Sequence, residues 1–216
     1  MRGLLTALCV LLLLSGCSGG DDGVFNRGIY LLVDTSGTYT KEIEKAQQII
    51  NYTLAKLYSG DSFAVASIDT GSFSEKDIVA KATFDDRPSK ANQQKRSFQE
   101  QVTRYVKGIQ SSPYTDITGG VLQATEFLNE KNAREKTIMI FSDLKEDLKD
   151  GYIRDIPLSL QGFDVVALNV TKLRSDNLDP REYMDRLGYW EDRVESGGGR
   201  WRVINDLEQL DKLIQN

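Results

Sequence analysis

The sequence predicts an α/β protein with a doubly wound, mostly parallel central sheet and one antiparallel edge strand. Three short, continuous apolar runs are typical of strands buried on both faces of such a sheet, and they span residues 27–33, 136–141 and 162–170. Longer segments between these runs carry apolar residues at helical spacing. Because strands alternate with helices along the chain, we expect helices on both faces of one sheet.

The first half of the chain adds a helix and two further strands. An apolar stripe over residues 41–58 predicts an amphipathic helix that ends before Gly60. Residues 62–69 and 78–84 are strand-like, and the polar connection between them is short enough for an antiparallel pair. We therefore expect the second of these strands at an edge of the sheet.

Two helices are predicted in the middle of the chain. Ser89 is a candidate N-cap for the first, whose apolar face continues to about Gly108. The basic residues of this helix are interpreted as a solvated face. The second helix is predicted over residues 121–129, after a turn with the pattern T-x-x-x-G-G.

The C-terminal part of the chain continues the same alternation. Asp179-Pro180 is typical of a helix start, with proline at the first helical position, and this helix is expected to end near Glu195. Residues 201–204 predict a last short strand. A final helix follows, for which Asn205 or Asp206 is the candidate cap.

Composition excludes several classes of enzyme. The chain of 216 residues contains no histidine, which removes Ser-His-Asp triads and the commonest general base. Its formal net charge of −5 argues against nucleic acid as the main partner. The two cysteines, Cys9 and Cys17, both lie near the N-terminus, so we expect no disulfide in the folded domain.

The N-terminus resembles the signal of a bacterial lipoprotein. Arg2 precedes an apolar run too short to span a bilayer, and the run closes in the lipobox-like Leu14-Ser15-Gly16-Cys17. We therefore expect residues 1–16 to be a signal peptide, Cys17 to carry lipid and residues 17–27 to be a flexible membrane tether. The expected location is the bacterial cell envelope, on the outer membrane facing the periplasm if the source is Gram-negative. The alternative is an ordinary secretory signal that ends in cysteine.

Oxygen-bearing side chains gather where the first apolar run ends. Asp34, Ser36 and Thr38 have the spacing D-x-[ST]-x-[ST], and such donors suit a hard divalent cation. Open α/β sheets bind ligands at the carboxyl ends of their strands. The same residue types also cap helices, so the spacing alone leaves both interpretations open. Two further residues favour the metal site, because Asp143 follows a second buried run and Thr115 opens the turn between the two.

The tetrapeptide Asp69-Thr70-Gly71-Ser72 matches the active-site string of aspartic proteases. That chemistry needs a second carboxylate, in a largely β architecture. Because this chain alternates strands with long helices, we interpret the tetrapeptide as a glycine-containing turn.

Together these residues resemble the metal-ion-dependent adhesion site of von Willebrand factor type A domains. The resemblance covers residues 28–216 and implies the Rossmann-like fold of that family. It implies a cation, Mg²⁺ with Mn²⁺ or Ca²⁺ as alternatives, which the hydroxyls bind directly and the aspartates bind directly or through water. The implied ligands are Asp34, Ser36, Thr38, Thr115 and Asp143. Thr38 replaces a serine and keeps the hydroxyl, whereas Leu144 replaces the glycine that usually follows the last aspartate, which questions the backbone geometry of that loop.

The resemblance implies a non-enzymatic, membrane-anchored binding module that engages an Asp or Glu of another protein through the cation. One alternative is a hydrolase, either a metal-dependent one, for which Asp116, Glu146 or Asp147 would be the base, or an aspartic-type one, which would need Asp69 beside a second carboxylate. The other is a scaffold of the same fold with an idle metal site. Lys172 and Arg174 lie beyond the end of a strand and are candidates to hold an acidic ligand, although solvated loop charges are the simpler interpretation.

Overall fold

Six strands form one sheet in the computed structural model, which describes residues 26–37, 39–206 and 209–212. The strands are β1 (Arg27–Asp34), β2 (Ser62–Ile68), β3 (Ile78–Thr83), β4 (Glu135–Phe141), β5 (Phe163–Leu168) and β6 (Arg200–Ile204). Their order across the sheet is β3-β2-β1-β4-β5-β6. Strand β3 runs antiparallel to β2 at one edge, and the other pairs are parallel. The predicted fold class is therefore confirmed.

Helices cover both faces of the sheet. They are α1 (Ile43–Lys56), α2 (Pro88–Gly108), α3 (Ile117–Glu130) and α4 (Pro180–Ser196). Helices α1 and α2 pack on one face, where Phe63 of β2 stacks on Phe98 of α2 with ring centroids 4.9 Å apart. Helices α3 and α4 pack on the other face, and Trp190 of α4 is fully buried there. This arrangement makes the sheet doubly wound.

Strand β1 lies at the centre of the sheet and is buried on both faces. Ile29, Leu31 and Val33 contact the core on the side of α1, whereas Tyr30 and Leu32 contact the core on the side of α3. Burial of each such side chain contributes about 1.5 to 3 kcal/mol. The continuous apolar run in the sequence follows from this position, because neither face of the strand meets water.

Helix α3 begins at Ile117, four residues before the predicted start, so the T-x-x-x-G-G pattern is a loop followed by the first helical turn. Asp116 is the N-cap, and its Oδ1 accepts a hydrogen bond from the Gly119 N–H at 2.8 Å. A Cβ atom on Gly119 would lie 2.5 Å from the Asp116 carboxylate, and one on Gly120 would lie 2.8 Å from Leu32. The two glycines therefore let α3 keep its cap and pack closely on β1.

The predicted cap of α2 is wrong. Arg87 occupies the N-cap position and Pro88 the first helical position, where the missing N–H of proline has no cost. Ser89 lies inside the helix. The predicted start of α4 is confirmed, because the Asp179 side chain accepts a hydrogen bond from the Arg181 N–H at 3.1 Å.

Of the two candidate caps near the C-terminus, the structure selects Asp206. Its Oδ1 accepts a hydrogen bond from the N–H of Gln209, within the helical residues 209–212, at 2.8 Å. The Asn205 side chain accepts instead from the Val170 N–H at 2.9 Å.

The tetrapeptide at the end of β2 forms a turn, as predicted. Gly71 has a φ of +77°, and the Asp69 N–H donates to the Ser72 hydroxyl at 2.8 Å. No helix in the described part of the chain is long and apolar enough to cross a membrane. The predicted signal peptide, Cys17 and Thr38 lie outside the described residues, and β1 begins at Arg27, the last residue of the predicted tether.

Candidate metal centre

Three of the predicted metal ligands line one cleft. Ser36, Thr115 and Asp143 contribute to a cavity of about 890 Å³ at the carboxyl ends of β1, β4 and β5. The loop before α3 forms a further wall. This is the edge at which open α/β sheets bind ligands.

Asp34 is the last residue of β1 and is 1% exposed. Its Oδ1 accepts a hydrogen bond from the Ser36 N–H at 2.8 Å, and its Oδ2 accepts one from the Ser142 hydroxyl at 2.6 Å. Burial raises the pKa of the Asp34 carboxyl above its usual value, and the nearby Asp143 carboxylate raises it further against the opposing hydrogen bonds. The carboxylate is thus held in a fixed orientation while its surroundings disfavour its negative charge.

Two backbone bridges join the three loops that carry the site. Ser36 pairs with Ser112 in a parallel bridge, and the Ser112 N–H donates to the Thr35 carbonyl at 2.8 Å. Thr115 pairs with Asp147 in an antiparallel bridge, with N–H···O distances of 2.7 and 3.0 Å. The structure therefore places the Thr115 loop between the Asp34 loop and the Asp143 loop, although residue 115 is distant from both in sequence.

The Asp143 loop is fastened to the loop that follows β5. Asp143 Oδ1 accepts a hydrogen bond from the Lys145 N–H at 2.9 Å, and its backbone carbonyl accepts one from Arg186 Nε at 3.2 Å. Arg186 also forms a bidentate ion pair with the buried Asp176, at 2.7 and 2.8 Å. This arginine therefore fixes one wall of the cleft against the other.

Leu144 adopts the left-handed backbone conformation that glycine would favour. Its φ is +65°, which costs a non-glycine residue about 1 kcal/mol. Its side chain is only 2% exposed in the core under α4, and its carbonyl accepts a hydrogen bond from Trp190 Nε1 at 3.1 Å. Leucine therefore keeps the loop geometry, and the burial of its side chain offsets the strain.

Two residues that contribute to the site were missed in the sequence. Ser142 directly precedes Asp143, and a hydroxyl at the end of a buried strand was the available signal. Arg186 lies within α4, and its spacing gave no indication of a contact with residue 143.

Two of the three acids named as bases for a hydrolase have structural partners. Asp116 forms an ion pair with Arg154 at 2.7 Å and caps α3. Glu146 accepts hydrogen bonds from the Thr118 N–H at 2.7 Å and from its hydroxyl at 3.1 Å. Asp147 is exposed and lines the cleft.

The donors present fit a hard cation and not a soft one. No group of three or more His, Cys, Asp or Glu side chains suited to a metal occurs among the described residues. The cleft instead combines hydroxyls with the Asp143 carboxylate, beside which the Asp34 carboxylate is buried, and oxygen donors of this kind suit Mg²⁺, Mn²⁺ or Ca²⁺. A cation would also relieve the unfavourable burial of charge on Asp34.

No protein-family model matches the chain, and no curated protein is significantly similar to it in sequence. Solved structures with a similar fold do exist. The pilus adhesin SpaC from Lactobacillus rhamnosus GG, in its open conformation, has a TM-score of 0.57 and 11% identity over 90% of this chain and 30% of that chain. A point mutant of the PilB minor pilin from Streptococcus sanguinis has a TM-score of 0.51 and 12% identity over 90% of this chain and 61% of that chain.

A von Willebrand factor type A structure from Catenulispora acidiphila has a TM-score of 0.49 and 16% identity over 88% of this chain and 41% of that chain. This chain thus spans less than two thirds of the length of each of these three structures. At such low identities the likeness concerns the fold alone. Together with the strand order of the sheet, it supports the doubly wound, mostly parallel α/β fold that the sequence predicts.

Proposed function

We propose that this protein is a non-enzymatic binding module that captures a carboxylate of another protein through a divalent cation in the cleft. The observation that carries the proposal is the pair Asp34 and Asp143. Asp34 is buried beside Asp143, and within the described residues it forms no salt bridge that would balance its charge. A cation between the strand ends supplies that balance.

Asp34, Ser36, Thr115 and Asp143 would hold the cation, with Thr38 as the further ligand that the sequence motif supplies. When bound, the cation accepts one more oxygen ligand. Since two carboxylates at most balance a divalent charge, an Asp or Glu from a partner is a suitable ligand. The chain's own residues fix the orientation of Asp34 through Ser36 and Ser142, and they hold Thr115 beside it through the two backbone bridges.

Two of the structures with a similar fold are named as a pilus adhesin and a minor pilin. These names describe those proteins, and they are consistent with a role in protein binding for the present chain. We further propose that Cys17 carries lipid and tethers the module to the cell envelope. The Cys17→Ala variant should then accumulate as an unprocessed precursor, and an unmodified Cys17 on a processed protein, seen by mass spectrometry, would contradict the anchor.

Calorimetric titration with Mg²⁺ tests the metal site directly. We expect binding to the wild type, no measurable binding to Asp34→Ala, and unchanged binding to Asp150→Ala, which removes an exposed acid outside the cleft. Equal Mg²⁺ affinity in the wild type and Asp34→Ala would refute the assignment.

Capture of proteins from detergent-solubilised membranes tests the role of the metal. The same proteins should be retained with Mg²⁺, lost with EDTA and regained when Mg²⁺ is restored. Thr115→Ala should fail to retain them even with Mg²⁺ present. Capture that is indifferent to both EDTA and Thr115→Ala rules out a metal-bridged carboxylate.

A further inference from the structure

The cleft is basic, although the chain as a whole is acidic. Among the described residues, four cationic side chains line it, which we call the basic rim: Lys41, Lys145, Lys172 and Arg174. Within the same part of the chain, two acidic residues line it, Asp143 and Asp147. The formal net charge of the whole chain is −5. A cation held at Asp34 and Asp143 would make the cleft more positive still.

The charges of the basic rim are available to a ligand. All four side chains are exposed, and none of them forms a salt bridge with another described residue. Lys172 lies over the Tyr183 ring, 5.7 Å from its centroid, and its charge acts on the buried Asp176 carboxylate without forming a salt bridge with it. In contrast, the less exposed Arg154 and Arg186 each pair with a buried aspartate.

The four cations stand on three separate walls of the cleft. Lys41 lies in the 3-10 turn Thr40–Glu42 before α1, and Lys145 lies in the loop after β4. Lys172 and Arg174 lie in the loop after β5, which Arg186 fastens to the Asp143 loop. One carboxylate at the centre of the cleft cannot neutralise charges that surround it on three sides.

We propose that the partner presents an acidic peptide segment, in which one carboxylate meets the cation and others on either side meet the basic rim. This inference rests on the proposed function, because it places the first carboxylate at the metal. Because the chain as a whole is negatively charged, its surface does not attract an acidic segment at long range. The attraction comes from the positive potential of the basic rim, which is local to the cleft. Local complementarity of this kind raises association rates by about 10- to 1,000-fold and is weakened by salt.

The structure favours an acidic peptide over a nucleic acid. Asp147 is exposed at the cleft wall and would repel a uniformly charged phosphate backbone, whereas a peptide can place an uncharged residue there. The overall negative charge of the chain also disfavours binding of a nucleic acid to the rest of the surface.

The experiment compares two labelled synthetic peptides of equal length by fluorescence anisotropy with the full-length protein in Mg²⁺. One peptide contains several glutamates, and the other keeps one glutamate and replaces the rest with glutamine. The rim variant combines Lys41→Gln, Lys145→Gln, Lys172→Gln and Arg174→Gln. The matched control carries the same change in net charge on exposed residues of α2, through Lys90→Gln, Arg96→Gln, Arg104→Gln and Lys107→Gln.

We expect the glutamate-rich peptide to bind at least about tenfold more tightly than the single-glutamate peptide at low salt. The rim variant and high salt should each abolish this preference, and the control variant should keep it. The inference is overturned if the two peptides bind equally, if neither binds, if the rim variant keeps the preference, or if the control loses it. Tighter binding of a single-stranded oligonucleotide than of the glutamate-rich peptide also overturns it.

Failure of the proposed function gives a different result. In that case the single-glutamate peptide binds no better in Mg²⁺ than in EDTA, whatever the effect of the rim variant. A preference for the glutamate-rich peptide that persists in EDTA and disappears in the rim variant would support the acidic segment and refute the metal bridge.

Discussion

The Ser142 hydroxyl donates a hydrogen bond of 2.6 Å to Asp34 Oδ2, so the residue after β4 orients the carboxylate that ends β1. The same hydroxyl oxygen accepts a hydrogen bond from the Leu144 N–H at 3.0 Å. Ser142 is fully buried, so these contacts are shielded from water. One side chain therefore couples the Asp34 carboxylate to the backbone of the Asp143 loop.

Ser142→Ala should weaken Mg²⁺ binding by about tenfold to a hundredfold, because it removes a group that orients a ligand. Calorimetric titration measures the change. Ser175→Ala is the matched control, since Ser175 lines the cleft but makes no hydrogen bond to Asp34. Equal losses in the two variants would show that the contact with Asp34 has no special role.

Arg154→Met should lower the free energy of unfolding by about 3 kcal/mol, because it leaves the buried Asp116 carboxylate without its charge partner. The Arg154 and Asp116 side chains are 16% and 2% exposed. The control is Arg181→Met, whose pair with Asp179 is 85% and 36% exposed and should therefore contribute little to stability. Urea denaturation compares the two variants, and similar losses would contradict the importance of burial.

Leu144→Ala should destabilise the protein more than Leu144→Gly, the reverse of the order expected at an ordinary position. Both substitutions lose the buried leucine side chain, which costs about 2 to 5 kcal/mol. Only glycine also relieves the left-handed conformation at φ +65°, which is worth about 1 kcal/mol. Thermal and urea unfolding measure the order, and a more stable alanine variant would refute the strain.

Asp77→Asn should stabilise the protein at pH 7 by roughly 1 to 2 kcal/mol. The buried Asp77 Oδ2 has no hydrogen-bond partner among the described residues. Burial, with a smaller contribution from Asp69, raises the pKa of Asp77 from its usual value of 3.8 to about 6. Between these two values the folded state binds more protons than the unfolded state, so stability falls as the pH rises.

In Asp77→Asn this fall in stability from about pH 4 to pH 6 should be smaller than in the wild type. Unfolding midpoints measured at pH 4.5, 5.5 and 7 test the slope, with the exposed Asp150→Asn as the control. Parallel pH profiles for the wild type and Asp77→Asn would exclude a raised pKa at this residue.

The sequence by itself determined the fold class. A strand buried on both faces is apolar over its buried length, so the apolar runs ending at Val33 and Phe141 identify two central strands directly, and the structure pairs them as neighbours. The short turn between β2 and β3 identifies the antiparallel edge for a similarly local reason. Asp34, Ser36 and Asp143 were predicted as metal ligands because they lie at or just beyond the ends of those strands.

Only the tertiary structure decided how the loops of the cleft meet. The bridge between Thr115 and Asp147 and the contact of Arg186 with Asp143 join residues whose sequence spacing obeys no local rule. The start of α3 was missed because two glycines lower helix propensity, and the close packing of Gly120 on Leu32 overrides that preference. Lys172 and Arg174 of the basic rim were candidates from the sequence, whereas Lys41 and Lys145 were added by the tertiary structure. Net charge is a sum over the chain, and the field in a cleft depends on which charges folding brings together.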